Sequence, residues 1–184
     1  IVSQVETTTR GELGALTTQG RVYRLQAIDL PSVPPQATAP HTQGGSPLAE
    51  LITLEPDEQV VALTRLGPET GTWAFGTRRG MVKRTHPEIV GKGSWDLIRL
   101  EDGDSVVGAV ELASDDVDLV FITSDASLLH FPATAVRPQG RSGGGIAGIR
   151  LAKGATVVYF GAAAVGTGEV VTVAGSRSAL PGTH

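Results

Sequence analysis

A repeated nine-residue pattern constrains the fold of this chain more than any other feature of its sequence. The pattern reads TTQGRVYRL from Thr17, TRRGMVKRT from Thr77 and TSDASLLHF from Thr123, with a weaker copy, TVAGSRSAL, from Thr172. The starts are 60, 46 and 49 residues apart. Periods near ~40–50 residues in a strand-rich chain are typical of propeller-like arrays, because one four-stranded unit cannot bury its own faces. Function in such folds lies on the rim or along the axis.

A second pattern lies between the copies of the first. The segments 48–63, 94–110 and 146–160 each hold a central leucine, a turn sequence and a Val-Val pair. We interpret each segment as strand, tight turn and strand. One unit would then combine an outer hairpin at the Thr-x-x-turn with an inner hairpin at the Leu-turn-Val-Val, joined by a Gly-rich loop.

Short apolar or β-branched runs bounded by turn residues indicate an all-β chain without helices. We predict one domain over 1–184, with repeat units at about 11–66, 71–113 and 117–164 and a partial unit at 168–184. The predicted strands are 14–16, 22–25, 50–54, 59–63, 72–76, 81–84, 96–100, 105–110, 119–123, 128–131, 146–151, 156–160 and 169–173.

Composition excludes several classes of protein. No apolar run approaches the ~18–20 residues of a membrane span, and no basic-then-apolar leader opens the chain. The absence of cysteine excludes disulfides and thiolate chemistry, and it suits the cytoplasm. Because the first residue is Ile1 rather than Met, we interpret the chain as a piece of a longer polypeptide.

The charge of the chain supports two opposite expectations about DNA binding. The net charge is −4, whereas proteins that wrap duplex DNA are usually basic because releasing counterions from phosphates drives binding. Basic residues nevertheless cluster between Arg78 and Lys92, where Glu88 is the one acid. The local sign of the charge therefore matters more than the total.

Basic residues recur at matching points of the repeats, after the turn of each outer hairpin. Solvated turn charge is the plain explanation for any one of them. As a set, rotational repetition would place them at similar radius, as an interrupted cationic rim for a curved polyanion. The loop that Arg137 and Arg141 flank is rich in glycine, and its free backbone amides could also meet phosphate. The candidate phosphate contacts are Arg21, Arg24, Arg78, Arg79, Lys83, Arg84, Lys92, Arg137, Arg141 and Arg177.

Catalytic and cofactor motifs have no support. The string Gly143-x-Gly145-x-x-Gly148 matches a dinucleotide fingerprint, but that mechanism needs a helix after the loop, and a strand pattern follows here. The four histidines are scattered, without metal-ligand spacing. We expect no catalytic residue, no metal and no cofactor.

The repeats resemble the C-terminal domain of the DNA gyrase A subunit and of its topoisomerase IV counterpart. Thr17–Leu25 and Thr77–Thr85 match the family's Thr-x-x-Gly-x-(apolar)-(aromatic or Lys)-Arg pattern, and Ala135–Leu151 matches its Gly-rich loop followed by Ile-x-Leu. The gyrase box Gln-Arg-Arg-Gly-Gly-Lys-Gly has only a distant counterpart at Gln139–Gly145. Either a first blade is missing, or the chain comes from a relative that bends DNA without full wrapping.

The resemblance implies a β-pinwheel, a propeller-like ring of four-stranded blades that exchange strands with their neighbours. It implies nonspecific binding and bending or wrapping of duplex DNA for a bacterial type IIA topoisomerase, whose catalytic residues lie elsewhere. The implied partners are duplex DNA, the rest of the topoisomerase A subunit, and the ATPase subunit. We expect a monomeric isolated domain in the cytoplasm, associated with the nucleoid. The alternative is a propeller-like protein-interaction scaffold that has lost DNA binding, which the net charge favours.

Overall fold

The computed structural model describes residues 3–32 and 45–166. These residues form strands and short 3-10 turns, which confirms the all-β prediction. The strands are β1 (Glu12–Thr17), β2 (Arg21–Gln26), β3 (Val60–Leu66), β4 (Thr72–Thr77), β5 (Met81–Thr85), β6 (Ser94–Asp96), β7 (Val106–Leu112), β8 (Val117–Thr123), β9 (Leu128–Pro132), β10 (Ile146–Ala147) and β11 (Val157–Ala164). The 3-10 turns are Ala27–Asp29, Leu48–Glu50 and Ala133–Ala135.

Three antiparallel sheets stand in a row and exchange strands. Their strand orders are β3-β1-β2-β6, β10-β5-β4-β7 and β11-β8-β9. Strand β6 follows β4 and β5 in the chain but joins the first sheet, where Asp96 lies opposite Arg21 and Ser94 opposite Tyr23. Strand β10 likewise joins the second sheet beside β5. Each of the first two sheets is thus completed by a strand from the following repeat, as in a β-pinwheel.

The predicted outer hairpins form, and their turns explain the repeated glycine. In the first two, the N–H of Gly20 donates to Thr17 O and that of Gly80 to Thr77 O, both at 3.0 Å. Gly20 has φ +73° and Gly80 has φ +86°, a region that glycine adopts at low cost. A Cβ on Gly20 would also lie 2.3 Å from the Ile98 side chain. Ala126 takes this position in the third hairpin, with φ +63°.

The predicted inner hairpins are wrong, although their turns are present. Asp104 N–H donates to Glu101 O at 2.9 Å, which closes the expected turn. The arm before this turn pairs with the neighbouring sheet instead of with β7. It leaves its strand after Asp96, because Leu97 and Ile98 turn into the apolar core between the first two sheets.

Three predicted strands are therefore shorter than expected or absent. The segment 50–54 begins in a 3-10 turn and continues without strand pairing, 96–100 keeps only its first residue, and 146–151 keeps only its first two. The predicted strand 169–173 lies outside the described residues.

The core lies between the faces of successive sheets. Trp73 and Phe75 anchor the layer between the first and second sheets, and Phe121 and Phe160 the layer between the second and third. Strand β3 contacts β7, and β7 contacts β11, so these strands form what we call the inner edges of the sheets. The opposite, outer edges are formed by β6, β10 and β9. Among the described residues, no helix has the length and apolarity that a membrane crossing needs.

Candidate nucleic-acid interface

The turn between β4 and β5 presents two exposed arginines. Arg78 and Arg79 occupy its two central positions, and both are exposed. Their backbone is fixed, because Arg78 N–H donates to Ser105 O at 2.8 Å and Arg79 N–H to Asp104 Oδ1 at 3.0 Å. Rigid backbone and free side chains suit contact with a ligand outside the chain.

Lys92 and Arg137 are also exposed and lie along the outer edges. The carbonyl of Lys92 accepts from Arg24 Nε at 3.3 Å, which places the lysine beside β2. Arg137 precedes Pro138, which lies against Arg84 of β5. Within the described residues, neither side chain forms an ion pair.

Two further candidates are half-exposed but paired with acids. Arg21 Nε lies 3.0 Å from Asp96 Oδ1, and its Nη1 lies 3.6 Å from Glu55. The hydrogen bond to Asp96 raises the pKa of Arg21. Arg141 Nε lies 2.8 Å from Glu88 Oε2. Such surface pairs are weak, about 0–1 kcal/mol, so a phosphate could compete for either arginine.

Arg24 is mainly a structural residue. Its guanidinium pairs with Glu12, donates to the carbonyls of Val90 and Lys92, and lies 5.6 Å from the ring centroid of Trp95. The hydrogen bond from Arg24 holds the pKa of Glu12 below its ordinary value. The arginine thus fastens the loop before β6 to the first sheet.

The prediction that Lys83 contacts DNA is wrong for this fold, because the side chain has no exposed surface. Its Nζ lies within hydrogen-bond distance of four carbonyl oxygens, those of Leu97 at 2.6 Å, Gly140 at 2.8 Å, Arg141 at 3.0 Å and Gly143 at 2.8 Å. The three N–H groups of the ammonium are shared among them. Burial lowers the pKa of Lys83 to about 8, against the opposing effect of Glu88. The Gly-rich loop of the third repeat covers the lysine.

The same correction applies to Arg84, which is 2 % exposed. Its Nη1 donates to Ala133 O at 2.8 Å and to Val136 O at 3.2 Å, and its Nη2 pairs with Asp115. Neighbouring residues of a strand point to opposite faces of the sheet. Burial of both Lys83 and Arg84 therefore means that both faces of β5 are covered.

The third blade has a histidine where the first two have arginine. His130 lies opposite Val120 in the register of β9 with β8, as Arg24 lies opposite Gly14 in the first sheet. Its Nδ1 lies 2.7 Å from Asp118 Oδ2. The third blade thus keeps the pairing with an acid near the start of the adjacent strand that Arg24 forms with Glu12. Arg177, the last candidate, lies outside the described residues.

Two exposed arginines were missed by the sequence reasoning. Arg99 and Arg150 follow an isoleucine in the repeated Ile-Arg-Leu, and that recurrence was the available signal. Ile149 N–H donates to Gly80 O at 3.1 Å, which brings Arg150 close to the turn that carries Arg79. We call the exposed cations at the outer edges and at the β4–β5 turn that form no ion pair within the described ranges the outer-edge cations: Arg78, Arg79, Lys92, Arg99, Arg137 and Arg150.

A cavity of about 560 Å³ lies on the opposite side, along the inner edges. Among its described lining residues, Glu111 is the acid that accepts several hydrogen bonds, and it lies at the junction of β7 with β3. The carboxylate accepts from Arg65 Nε at 3.1 Å, Arg65 N–H at 3.1 Å, Thr64 Oγ1 at 2.8 Å and Gly71 N–H at 3.2 Å. Burial raises the pKa of Glu111, but these hydrogen bonds outweigh it and leave the pKa below its ordinary value. Glu111 therefore connects the first two blades, by hydrogen bonds between β7 and β3.

Comparison with known proteins relates the chain to a family. Residues 118–163 match the family model described as DNA gyrase C-terminal domain, beta-propeller. The DNA gyrase A subunit of Mycobacterium bovis is 34% identical over 142 residues, which cover 73% of this chain and 16% of the relative. That of Staphylococcus aureus is 34% identical over 164 residues, 85% of this chain and 18% of the relative. The chain thus spans about a sixth of the length of these relatives.

Solved structures agree on the fold. The C-terminal domain of DNA topoisomerase IV superposes with a TM-score of 0.69 at 22% identity, over 84% of this chain and 48% of that one. The E. coli ParC C-terminal domain gives a TM-score of 0.62 at 20% identity, over 87% and 65%. The relatives by sequence, the family model and the fold together confirm the predicted resemblance: this chain is a homologue of the C-terminal β-pinwheel domain of the DNA gyrase A subunit.

Proposed function

We propose that this chain binds duplex DNA without sequence preference and bends it around the outer edges of its blades. It would do so as the C-terminal domain of a type IIA topoisomerase A subunit, presenting DNA to the strand-passage core for control of supercoiling. In this proposal the chain has no catalytic role, and it works in the cytoplasm with the rest of the topoisomerase A subunit, alongside the ATPase subunit. The observation that carries the proposal is the set of outer-edge cations.

The outer-edge cations support contact with phosphate because they are exposed and form no ion pair with any residue in the described part of the chain. An arginine already paired with a carboxylate must give up that partner to bind DNA, as Arg21 and Arg141 would. Six cations without such a partner release phosphate counterions at no comparable cost. Because phosphate contacts carry no sequence information, this surface favours nonspecific binding.

The arrangement also favours bending. Equivalent positions recur on successive blades, as with Arg99 and Arg150, and in a propeller-like array such positions would follow a curve rather than a line. Bending a site of 20–30 base pairs by 40–90° costs on the order of 1–6 kcal/mol. Contacts on successive blades would offset that cost only if the duplex is long enough to reach them.

The test is binding to short and long duplexes, titrated across salt. Each phosphate contact contributes about 0.9 to the slope of log K against log salt. We expect Arg79→Gln, Arg99→Gln and Arg150→Gln each to flatten the slope by about that amount. Arg10→Gln is the matched control, since Arg10 is exposed and precedes β1, away from the outer edges. Equal slopes for the three variants and the wild-type chain would refute the assignment.

The second candidate function is a protein-interaction scaffold. It is favoured by the net charge of −4 and by the acids that neutralise Arg21 and Arg141. Absence of salt-sensitive binding to any duplex at low salt would favour this alternative. Binding that strengthens with duplex length, beyond a count of sites, would favour bending.

A further inference from the structure

The loop that covers Lys83 has its backbone turned in an unusual direction. Three of its carbonyl oxygens, from Gly140, Arg141 and Gly143, point inward to the Lys83 ammonium. In a trans peptide the N–H of the next residue points opposite to the carbonyl. The inward carbonyls therefore turn the N–H groups of the following residues outward, and these residues are Arg141, Ser142 and Gly144.

The outward N–H groups are unused; Ser142 is exposed, and Arg141 and Gly144 are half-buried. Within residues 3–32 and 45–166, none of the three donates a hydrogen bond. Nothing lies within 4 Å of the position that a Cβ on Gly140 would take, so that side of the loop is open to a ligand. Arg99, whose N–H donates to Gly143 O at 3.2 Å, stands beside the loop. Outward amides at neighbouring positions, close to arginines, suit an anion.

The first blade has a corresponding loop, whose carbonyls are contacted by a basic residue at the next position of its strand. The Arg24 guanidinium donates to the carbonyls of Val90 and Lys92, which turns the N–H groups of Gly91 and Gly93 outward. A Cβ on either glycine would meet no atom within 4 Å. A basic side chain thus contacts the carbonyls of the loop at both outer edges, although Arg24 corresponds in the repeat to Arg84 and not to Lys83.

We propose that residues 139–144 and 90–93 are two phosphate-binding loops, whose backbone N–H groups bind phosphodiester oxygens of duplex DNA because a basic side chain holds the loop carbonyls inward. The inference rests on the proposed function and deepens it. Lys83 and Arg24 are then positioning residues, which act on DNA without touching it. Glu88, paired with Arg141, is a competing internal anion at the first of these loops.

The test is a titration of the ¹⁵N-labelled chain followed by amide chemical shifts, once with a short duplex and once with inorganic phosphate. Both probes should shift the amides of Arg141, Ser142, Gly144, Gly91 and Gly93. In Lys83→Met the first three should no longer respond, whereas Gly91 and Gly93 should respond as before. The second loop thus serves as a control within the same sample.

A second variant is independent of the folding of Lys83→Met. Glu88→Gln should steepen the salt slope of duplex binding by about 0.9, because Arg141 becomes free for a phosphate. Glu6→Gln, at an exposed acid beside the inner edges, should leave the slope unchanged. An unchanged slope in Glu88→Gln would contradict the inference.

The possible failures can be told apart. If the duplex binds the wild-type chain but the amides of both loops stay silent, the inference is overturned and the proposed function stands. If the wild-type chain binds no duplex, the proposed function fails and the inference about DNA fails with it.

Discussion

Replacing Glu111 should lower the free energy of unfolding, since its carboxylate, on β7 of the second sheet, accepts several hydrogen bonds from β3 of the first. Glu111→Ala leaves the N–H groups of Arg65 and Gly71 and the Thr64 hydroxyl without their acceptor. A deprived buried polar group costs about 1–3 kcal/mol, and we take the lower end because water can reach parts of this site. The ion pair itself adds little, since Arg65 is 43% exposed and water screens the pair. The expected loss is about 3 kcal/mol, from three deprived groups at about 1 kcal/mol each.

The assay is urea unfolding followed by the fluorescence of Trp73 and Trp95, which are both buried. Glu69→Ala is the matched control, because Glu69 is an exposed acid near Arg65, and we expect a change of about 0.5 kcal/mol or less. Glu111→Gln keeps one acceptor oxygen and should lose less than Glu111→Ala. A loss of unfolding free energy in Glu111→Ala no greater than in Glu69→Ala would refute the role of Glu111 in holding the two blades together.

The stability of the chain at low pH should also depend on Glu111. The folded-state pKa of Glu111 is lowered relative to the unfolded chain. Its contribution is therefore complete above the unfolded value of about 4.3 and is lost as the pH falls through the lower folded value. The stability difference between the wild-type chain and Glu111→Gln should shrink over that range.

Three other predictions concern single positions. Ala126→Gly should stabilise the chain by about 0.5–1 kcal/mol, because Ala126 has φ +63° where the sister turns have glycine; unchanged thermal unfolding would contradict this. Gly80→Ala should destabilise the chain by about 2 kcal/mol or more, because Gly80 has a positive φ and a Cβ there would lie 2.6 Å from Ile149 O. Calorimetry would measure the loss of stability, with Gly140→Ala as the control, since a Cβ on Gly140 meets no atom within 4 Å. Between pH 8 and about 10.4 the wild-type chain should gain stability relative to Lys83→Met. The pKa of Lys83 is about 8 in the folded chain and about 10.4 in the unfolded chain, so the unfolded chain binds more protons in this range. Equal pH profiles of the two chains in urea unfolding would refute this prediction.

Local features of the fold were predictable because neighbouring residues encode them. The hairpin turn at Thr77–Gly80 needs only a residue that tolerates positive φ and a hydrogen bond across three positions. The exposed arginines Arg78 and Arg79 followed from the same turn, since side chains at its tip have little to cover them. Arg99 and Arg150 carried a readable signal in their repeated Ile-Arg-Leu, but the sequence reasoning placed them inside strands.

Partners distant in the chain were harder to predict. The segment 94–110 has the composition of a hairpin, and its turn at Glu101–Asp104 does form. The first arm still joins the preceding sheet, because an open sheet edge beside Tyr23 offers unpaired backbone groups that β6 can satisfy. Resemblance to the pinwheel family implied such an exchange, but the residues alone favoured the hairpin.

The repeats, the turns, the all-β class and the family could be predicted from the residues alone, because these depend on short-range chemistry copied along the chain. Which basic residues face solvent depends instead on packing between segments that are distant in the chain. Lys83 and Arg79 lie four residues apart and look equally suited to DNA, yet Arg79 is exposed and Lys83 has no exposed surface. The difference arises because a loop more than fifty residues later covers the lysine, and no local pattern around a lysine specifies what will lie over it.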